Sequence, residues 1–290
     1  MNASAAPGPT VLRLTGRDAL GVIQRISSQH LEDLAPGTAR TTLFCDFRGR
    51  LLHRAAVARA ADGAVWLVRD DAPGAALLDH VDHHVFREDV RIEDRSGGRA
   101  VWAEWSDDDD PAVEEREGAP IVVPEGRGFR LRLAPAAGAA PPDAARRERE
   151  RITRGRPRHG HEIHEDFNPY EVGCADEVHL SKGCYTGQEA LQRLVTYESV
   201  RRLPVLVRGR GAPPPAPRNL VSPGGAAGRL TSTTAAGVAD EWIGIAIVRR
   251  EVLAASTGGT LPTFDIEGGP EVDSYSPFPE RRPLGRPVAG

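Results

Sequence analysis

Apolar and polar positions alternate along the first hundred residues in two distinct periods. VLRLTG (11–16) has the period of two that a strand needs, whereas the stretch from Asp18 to Leu31 carries Leu20, Ile23, Ile26 and Leu31 at helical spacing. The run TTLFCDFRGRLLHRAAVARAADGAVWLV that starts at Thr41 then predicts strand, turn at Phe47 to Gly49, strand, turn at Asp62-Gly63, and strand. A second helix is expected over Ala75 to Phe86, ahead of the strand VRIED (90–94). Helices against one face of a largely antiparallel sheet make an α+β layer architecture.

Further along, SDDDDPAVEERE (106–117) predicts a solvated acidic loop, because like charges around a proline repel and cannot be buried. FRLRLAP (129–135) alternates again as a strand, and AARRERERITRG (144–155) has helical charge spacing ending in Gly155. That helix is expected to fold back and complete the first unit. RGRGAPPPAPRN (208–219) is a connection that neither a helix nor a central strand tolerates. WIGIAIVRR (242–250) and GGTLPTF (258–264) beyond it predict a small all-β module. The expected organisation is an N-terminal α+β domain at 8–105, a second α+β part at 118–202, a C-terminal β domain at 203–276 and a loosely attached Pro-rich tail at 277–290.

Composition narrows the classes of function. A net charge of −4, with 40% hydrophobic and 27% charged residues in 290, gives no general attraction to nucleic acid. No 18-residue apolar span is present, and MNASAAPGPT lacks the basic start and apolar core of a signal peptide, so a cytoplasmic protein without membrane contact is expected. Cys45, Cys174 and Cys184 lie far apart with no CxxC pair, which predicts free thiols rather than disulfides or a zinc site. The histidines at 159, 161 and 164 sit in a Gly-containing turn, and of His80, His83 and His84 only two share a helix face; neither group has metal-ligand spacing, and no metal is expected.

Of 37 basic residues, 36 are arginine, and the single lysine, Lys182, stands two residues before Cys184. A compact ammonium whose pKa a site can move is what arginine lacks. Thr186-Gly187-Gln188-Glu189 has the capping-box pattern and predicts a helix from Thr186. A thiol just ahead of a helix N-terminus and beside an ammonium is expected to titrate below its ordinary value of about 8.5, in the range of roughly 3.5 to 7.5. Gly183 between them leaves room for a ligand to approach the backbone.

The string Lys182-Gly183-Cys184-Tyr185-Thr186-Gly187-Gln188-Glu189 resembles the signature of the YgfZ family, folate-binding relatives of the glycine-cleavage T-protein (GcvT-like aminomethyltransferases). Weaker similarity covers VLRLTGRDAL, CDFRGRLL, RITRGRPRHGHEI and AGRLTST. The resemblance implies a ring of domains around a folate-sized cavity with a C-terminal β-barrel. It implies that Cys184 and Lys182 carry the chemistry and that Tyr185, Gln188, Glu189 and position 153 contact the cofactor, tetrahydrofolate. It further implies an auxiliary protein for the assembly or repair of iron-sulfur enzymes, tRNA-modifying ones among them. Cys184 would ligate an iron-sulfur cluster shared with an assembly or client protein, or attack a damaged sulfur, with Lys182 stabilising its charge; one cysteine cannot hold a cluster alone.

Two departures from that pattern matter. Gly49-Arg50-Leu51-Leu52-His53-Arg54 contains no carboxylate where the aminomethyltransferases have one, which speaks against aminomethyl transfer. Thr153 stands where a glutamate meets the pterin, a loss of about 1 to 3 kcal/mol that predicts weak folate binding. A tetrahydrofolate-dependent one-carbon transferase is the alternative enzyme, and a scaffold that binds a partner without chemistry is the third expectation.

Overall fold

The computed structural model describes residues 8–108, 110–255 and 264–285. Five strands carry the alternation of the N-terminal hundred residues into one antiparallel sheet. In chain order the elements are β1 (Thr10–Thr15), α1 (Ala19–Ile26), β2 (Thr38–Cys45), β3 (Leu51–Arg59), β4 (Val65–Arg69), α2 (Ala75–Asp82) and β5 (Arg91–Asp94), and the strands lie in the order β2-β3-β4-β1-β5. Successive side chains on a strand face opposite ways, and here both faces are buried. Leu12, Leu14, Val57 and Leu67 pack with Val22, Ile23 and Ile26 of α1 and Leu77 and Val81 of α2. Val11, Ala56, Trp66 and Val68, one residue out of step, pack on a second sheet through Val123, Phe129 and Leu131. That sheet comprises β6 (Arg99–Trp105), β7 (Glu114–Arg116), β8 (Ala119–Gly126) and β9 (Phe129–Pro135), in the order β6-β9-β8-β7.

This shared core corrects the boundary placed between 105 and 118, since both sheets belong to one compact unit made of residues up to Pro141, Glu177–Gln188 and the chain from Leu284 on. The acidic stretch is only partly a loop, because Glu114–Arg116 forms the edge strand β7. Both helices end earlier than their apolar spacing suggests. After Ile26 the Ser27 hydroxyl donates to the Ile23 carbonyl, and the Ser28 and Gln29 amides donate to Leu43 and to the Thr42 hydroxyl, so polar groups divert the chain to β2. Phe86 lies beyond α2 and is exposed, its amide taken by the Glu88 carboxylate.

The second unit, Pro142–Asp176 with Glu189–Pro283, is built on α3 (Ala144–Thr153), most of α4 (Gln188–Thr196), β10 (Arg202–Arg210), β11 (Arg218–Ser222), β12 (Gly225–Ala235), β13 (Glu241–Arg249), α5 (Arg250–Ala254), β14 (Asp265–Ile266) and β15 (Ser274–Pro277). The helix expected to complete the first unit is α3, and it belongs here instead. Buried Arg151 at its end reaches Glu162, which also accepts from the Thr231 and Ser232 hydroxyls of β12 and from the Arg158 amide. The β-module is one six-stranded antiparallel sheet in the order β14-β11-β12-β13-β10-β15. Among the described residues it does not close into the expected barrel. The two end strands span two and four residues, and β15 ends at Pro277, which has no amide to donate. Residues 258–263 of GGTLPTF lie outside the described residues.

The tail is held as far as it is described. Arg281 pairs with Asp176 at 2.7 Å, and Leu284 exchanges backbone hydrogen bonds with Val178 and Leu180. No helix among the described residues is long and apolar enough to cross a membrane.

Glu162→Leu is expected to cost about 3 to 5 kcal/mol in urea denaturation, because it strips a buried guanidinium of a partner. Exposed Glu251→Ala should shift stability by less than about 0.5 kcal/mol. Equal effects would show that the Glu162 cluster does not tie α3 to β12.

Candidate functional site

The segment Glu177–Gln188 is pinned to the first unit at its start, middle and end. At its start, Arg54 of β3 donates from Nε and Nη2 to the two oxygens of Glu177 at 2.8 and 2.9 Å. Its Nη1 donates to Glu125 of β8, and Arg127 reaches Glu177 at 3.0 Å. All four side chains are buried, two cations against two carboxylates, so no net charge is left uncompensated. The hairpin stretch 49–54 has no acid, and the fold supplies two from elsewhere, both engaged by guanidinium groups. Backbone bonds add to the anchor, from the Ser28 hydroxyl to the Glu177 carbonyl at 2.6 Å and from the His179 amide to Ser28 at 2.9 Å.

The middle is held by Lys182. Its Nζ donates to the Gln24 carbonyl on α1, while the Gln24 side-chain amide donates back to the Lys182 carbonyl at 3.2 Å. The ammonium also lies 5.1 Å from the centre of the Tyr185 ring, a cation–π arrangement. Only 8% of the residue is exposed, and burial holds the Lys182 ammonium down to about 7, with the Glu32 carboxylate pulling weakly the other way. Among the described residues no hydrogen bond or ion pair joins Lys182 to Cys184. The neighbouring residues diverge. Gly183 has φ +101°, and nothing lies within 4 Å of where its side chain would stand. Cys184 is exposed, whereas Cys45 and Cys174 are buried, and none of the three is in a disulfide. Tyr185 turns inward with its hydroxyl buried and, among the described residues, without a hydrogen-bond partner; burial first and the Cys45 thiol second push its phenol up.

The end of the segment corrects the expected helix start. α4 begins at Gln188, not Thr186, because Gly187 has φ +85° and a Cβ there would stand 2.6 Å from the Asp46 carbonyl. That carbonyl belongs to the β2–β3 turn, whose Asp46 carboxylate accepts from the Arg48 and Arg50 amides at 2.8 Å each. Cys184 therefore lies four residues before the helix rather than two. The Gln188 side chain donates to the Leu180 carbonyl at 3.0 Å and closes the loop on itself. Glu189 points outward and pairs with Arg193 one turn on, at 2.5 Å. Thr153 is the exposed last residue of α3, in the second unit. Lys182, Cys184, Tyr185 and Gln188 thus share one loop, Glu189 faces away from it, and Thr153 belongs to the other unit.

Gln24, Glu125 and Glu177 escaped the sequence reading. Gln24 left a trace, a polar residue inside the apolar face of α1. Histidines serve other contacts: His80 stacks 4.9 Å from His84 and 5.5 Å from His53, with burial holding it down to about 4, and His161 and His164 meet the Thr231 carbonyl and Asp166. Among the described residues no group of three His, Cys, Asp or Glu side chains is placed to hold a metal ion.

A solved structure similar to this chain is glycine cleavage system aminomethyltransferase T from Bartonella henselae, with a TM-score of 0.69 over 93% of this chain and 83% of that one. The fold is that of aminomethyltransferase T. At 16% identity this likeness concerns the fold alone. In sequence, an alignment 169 positions long that covers 52% of the chain shows 31% identity to the Arabidopsis thaliana protein "Putative transferase At1g60990, chloroplastic". The match spans 38% of that relative's length. No protein-family model matches the chain.

Burial of Lys182 makes stability depend on pH in a calculable direction. The folded amine gives up its proton near 7 and the unfolded one near 10.5, so between these values the unfolded chain binds more protons. Stability contributed by this group is full above the unfolded value and is lost as pH falls towards the folded one. Wild type should therefore gain on Lys182→Met as pH rises from about 7 to 10 in urea melts. Parallel pH profiles for the two proteins would rule out a perturbed amine.

Proposed function

We propose that this chain is a YgfZ-like auxiliary protein that acts on iron-sulfur enzymes, tRNA-modifying ones among them, through the thiol of Cys184. The observation that carries this reading is the sorting of the Lys182-Gly183-Cys184-Tyr185 loop, in which the lysine and tyrosine side chains turn inward and the cysteine side chain is presented to solvent. The fold and the distant plant relative support only the family likeness in this reading. A resident cluster does not fit the donor set of one exposed and two buried thiols, so any cluster that Cys184 meets is held by an assembly or client protein. Cys184 would supply one thiolate to that cluster or to a damaged sulfur on the partner. We place the protein in the cytoplasm, where free thiols stay reduced, without a nucleic-acid or membrane partner.

The fold, and the word transferase in the relative's name, favour a second reading as a tetrahydrofolate-dependent one-carbon transferase. The residues present fit tetrahydrofolate poorly. Glu125 and Glu177 are held by guanidinium groups rather than open to a pterin's N–H donors, and position 153 is threonine. Any folate in the cavity that the family implies would be weakly bound.

In native protein, iodoacetamide should alkylate Cys184 at least about tenfold faster than Cys45 or Cys174, which need local opening first. In a strain lacking its own YgfZ-like protein, Cys174→Ala should restore an iron-sulfur tRNA-modifying enzyme and Cys184→Ala should not. Full rescue by Cys184→Ala would overturn the reading, and release of a one-carbon product from tetrahydrofolate would favour the transferase.

A further inference from the structure

The second unit contains a cavity of about 650 Å³ that no part of the thiol chemistry uses. Its volume falls within the span typical of small-ligand sites, roughly 300 to 1,000 Å³. Its body is apolar and aromatic, lined by Tyr170, Leu203, Val205, Leu253, Tyr275 and Phe278.

The walls are held in place by contacts outside the cavity. Phe278 packs so closely on Gly155 that a Cβ there would stand 2.8 Å from its ring. Tyr275 is buried against Phe264, ring centres 5.8 Å apart, and β15 fixes its backbone to Val207 of β10. Arg281 is tied to Asp176 at 2.7 Å. Pro204, Pro277 and Pro279 stiffen the remaining wall. A pocket built this way loses little order on binding.

Three charged residues line it, Arg250, Arg281 and Glu280, and Arg281 already has Asp176 as its partner. Arg250 is exposed and makes no ion pair among the described residues, so its guanidinium is available to a ligand. An apolar body with an anionic head satisfies both features, since the body displaces water from the aromatic walls and the head meets a planar donor matched to a carboxylate. We propose that this cavity binds a monocarboxylate with an apolar body, alkyl or arylalkyl, with Arg250 at its mouth receiving the carboxylate. The site does not depend on Cys184.

The test is calorimetric titration at pH 7 with octanoate, 4-phenylbutyrate and octylamine, on wild type, Arg250→Gln, Ala254→Trp and Cys184→Ala. One carboxylate should bind per chain, the tighter of the two acids telling an alkyl from an arylalkyl source, and octylamine should bind at least about tenfold more weakly. Arg250→Gln should weaken octanoate about tenfold, and Cys184→Ala should leave it unchanged. Ala254 is an exposed lining residue, so Ala254→Trp should block the cavity while the circular dichroism spectrum and unfolding midpoint stay as in wild type. Should that variant melt early, Pro279→Trp, at another exposed lining position, replaces it. No carboxylate binding to wild type, equal binding of octanoate and octylamine, or undiminished octanoate binding to the blocked variant would each overturn the proposal.

Discussion

A pair of crossed hydrogen bonds between Gln24 and Lys182, each side chain bonded to the other's backbone carbonyl, holds the segment that carries the exposed thiol. Gln24 also accepts from the Leu31 amide at 2.7 Å, so one side chain joins the end of α1, the following loop and the Cys184 loop. Such an arrangement needs a donor that is small, reaches into a buried corner and tolerates losing its charge there. Lysine meets all three conditions. A guanidinium is bulkier and keeps its proton under any condition the fold survives, so arginine at 182 would bury a full charge with no carboxylate bonded to it. This accounts for the one lysine among 36 arginines by burial rather than by attraction to the thiol.

Roles around the loop divide by exposure. Arg54, Arg127, Glu125 and Glu177 form a buried, charge-balanced group whose contribution is to position the start of the segment. Buried ion pairs seldom stabilise a fold more than apolar residues would, but losing one partner is costly, so the group fixes geometry more than it adds stability. With Tyr185 turned inward and Glu189 paired outward with Arg193, Cys184 is the group left facing solvent with chemistry to offer.

What was legible in the sequence follows from the range of the forces involved. β1 to β4 were readable because alternation is local and each strand repeats it. The end of α1 was not, because Ser28 and Gln29 leave the helix for Leu43 and Thr42, over a dozen residues away. The start of α4 was displaced for the same reason. Thr186 to Glu189 satisfies a local capping rule, and the close approach of Asp46, from a hairpin more than a hundred residues earlier, overrides it at Gly187. The KGCYTGQE string marks the loop that exposes Cys184, yet spacing alone set Lys182 beside Cys184, whereas the lysine is buried and the cysteine exposed on either side of a positive-φ Gly183. Among the described residues the barrel does not close, with only two residues in β14 and four in β15, which composition does not reveal.

Because the chain has one lysine, the titration of its buried amine is directly observable. Protein labelled with ¹³C,¹⁵N-lysine should give a single side-chain resonance set, and following it from pH 5 to pH 11 reads the Lys182 midpoint without interference from other lysines. A midpoint near 7 would establish that the loop is held by an amine desolvated against α1. A midpoint near 10.5 would show a solvated lysine and remove the clasp on which the placement of Cys184 depends.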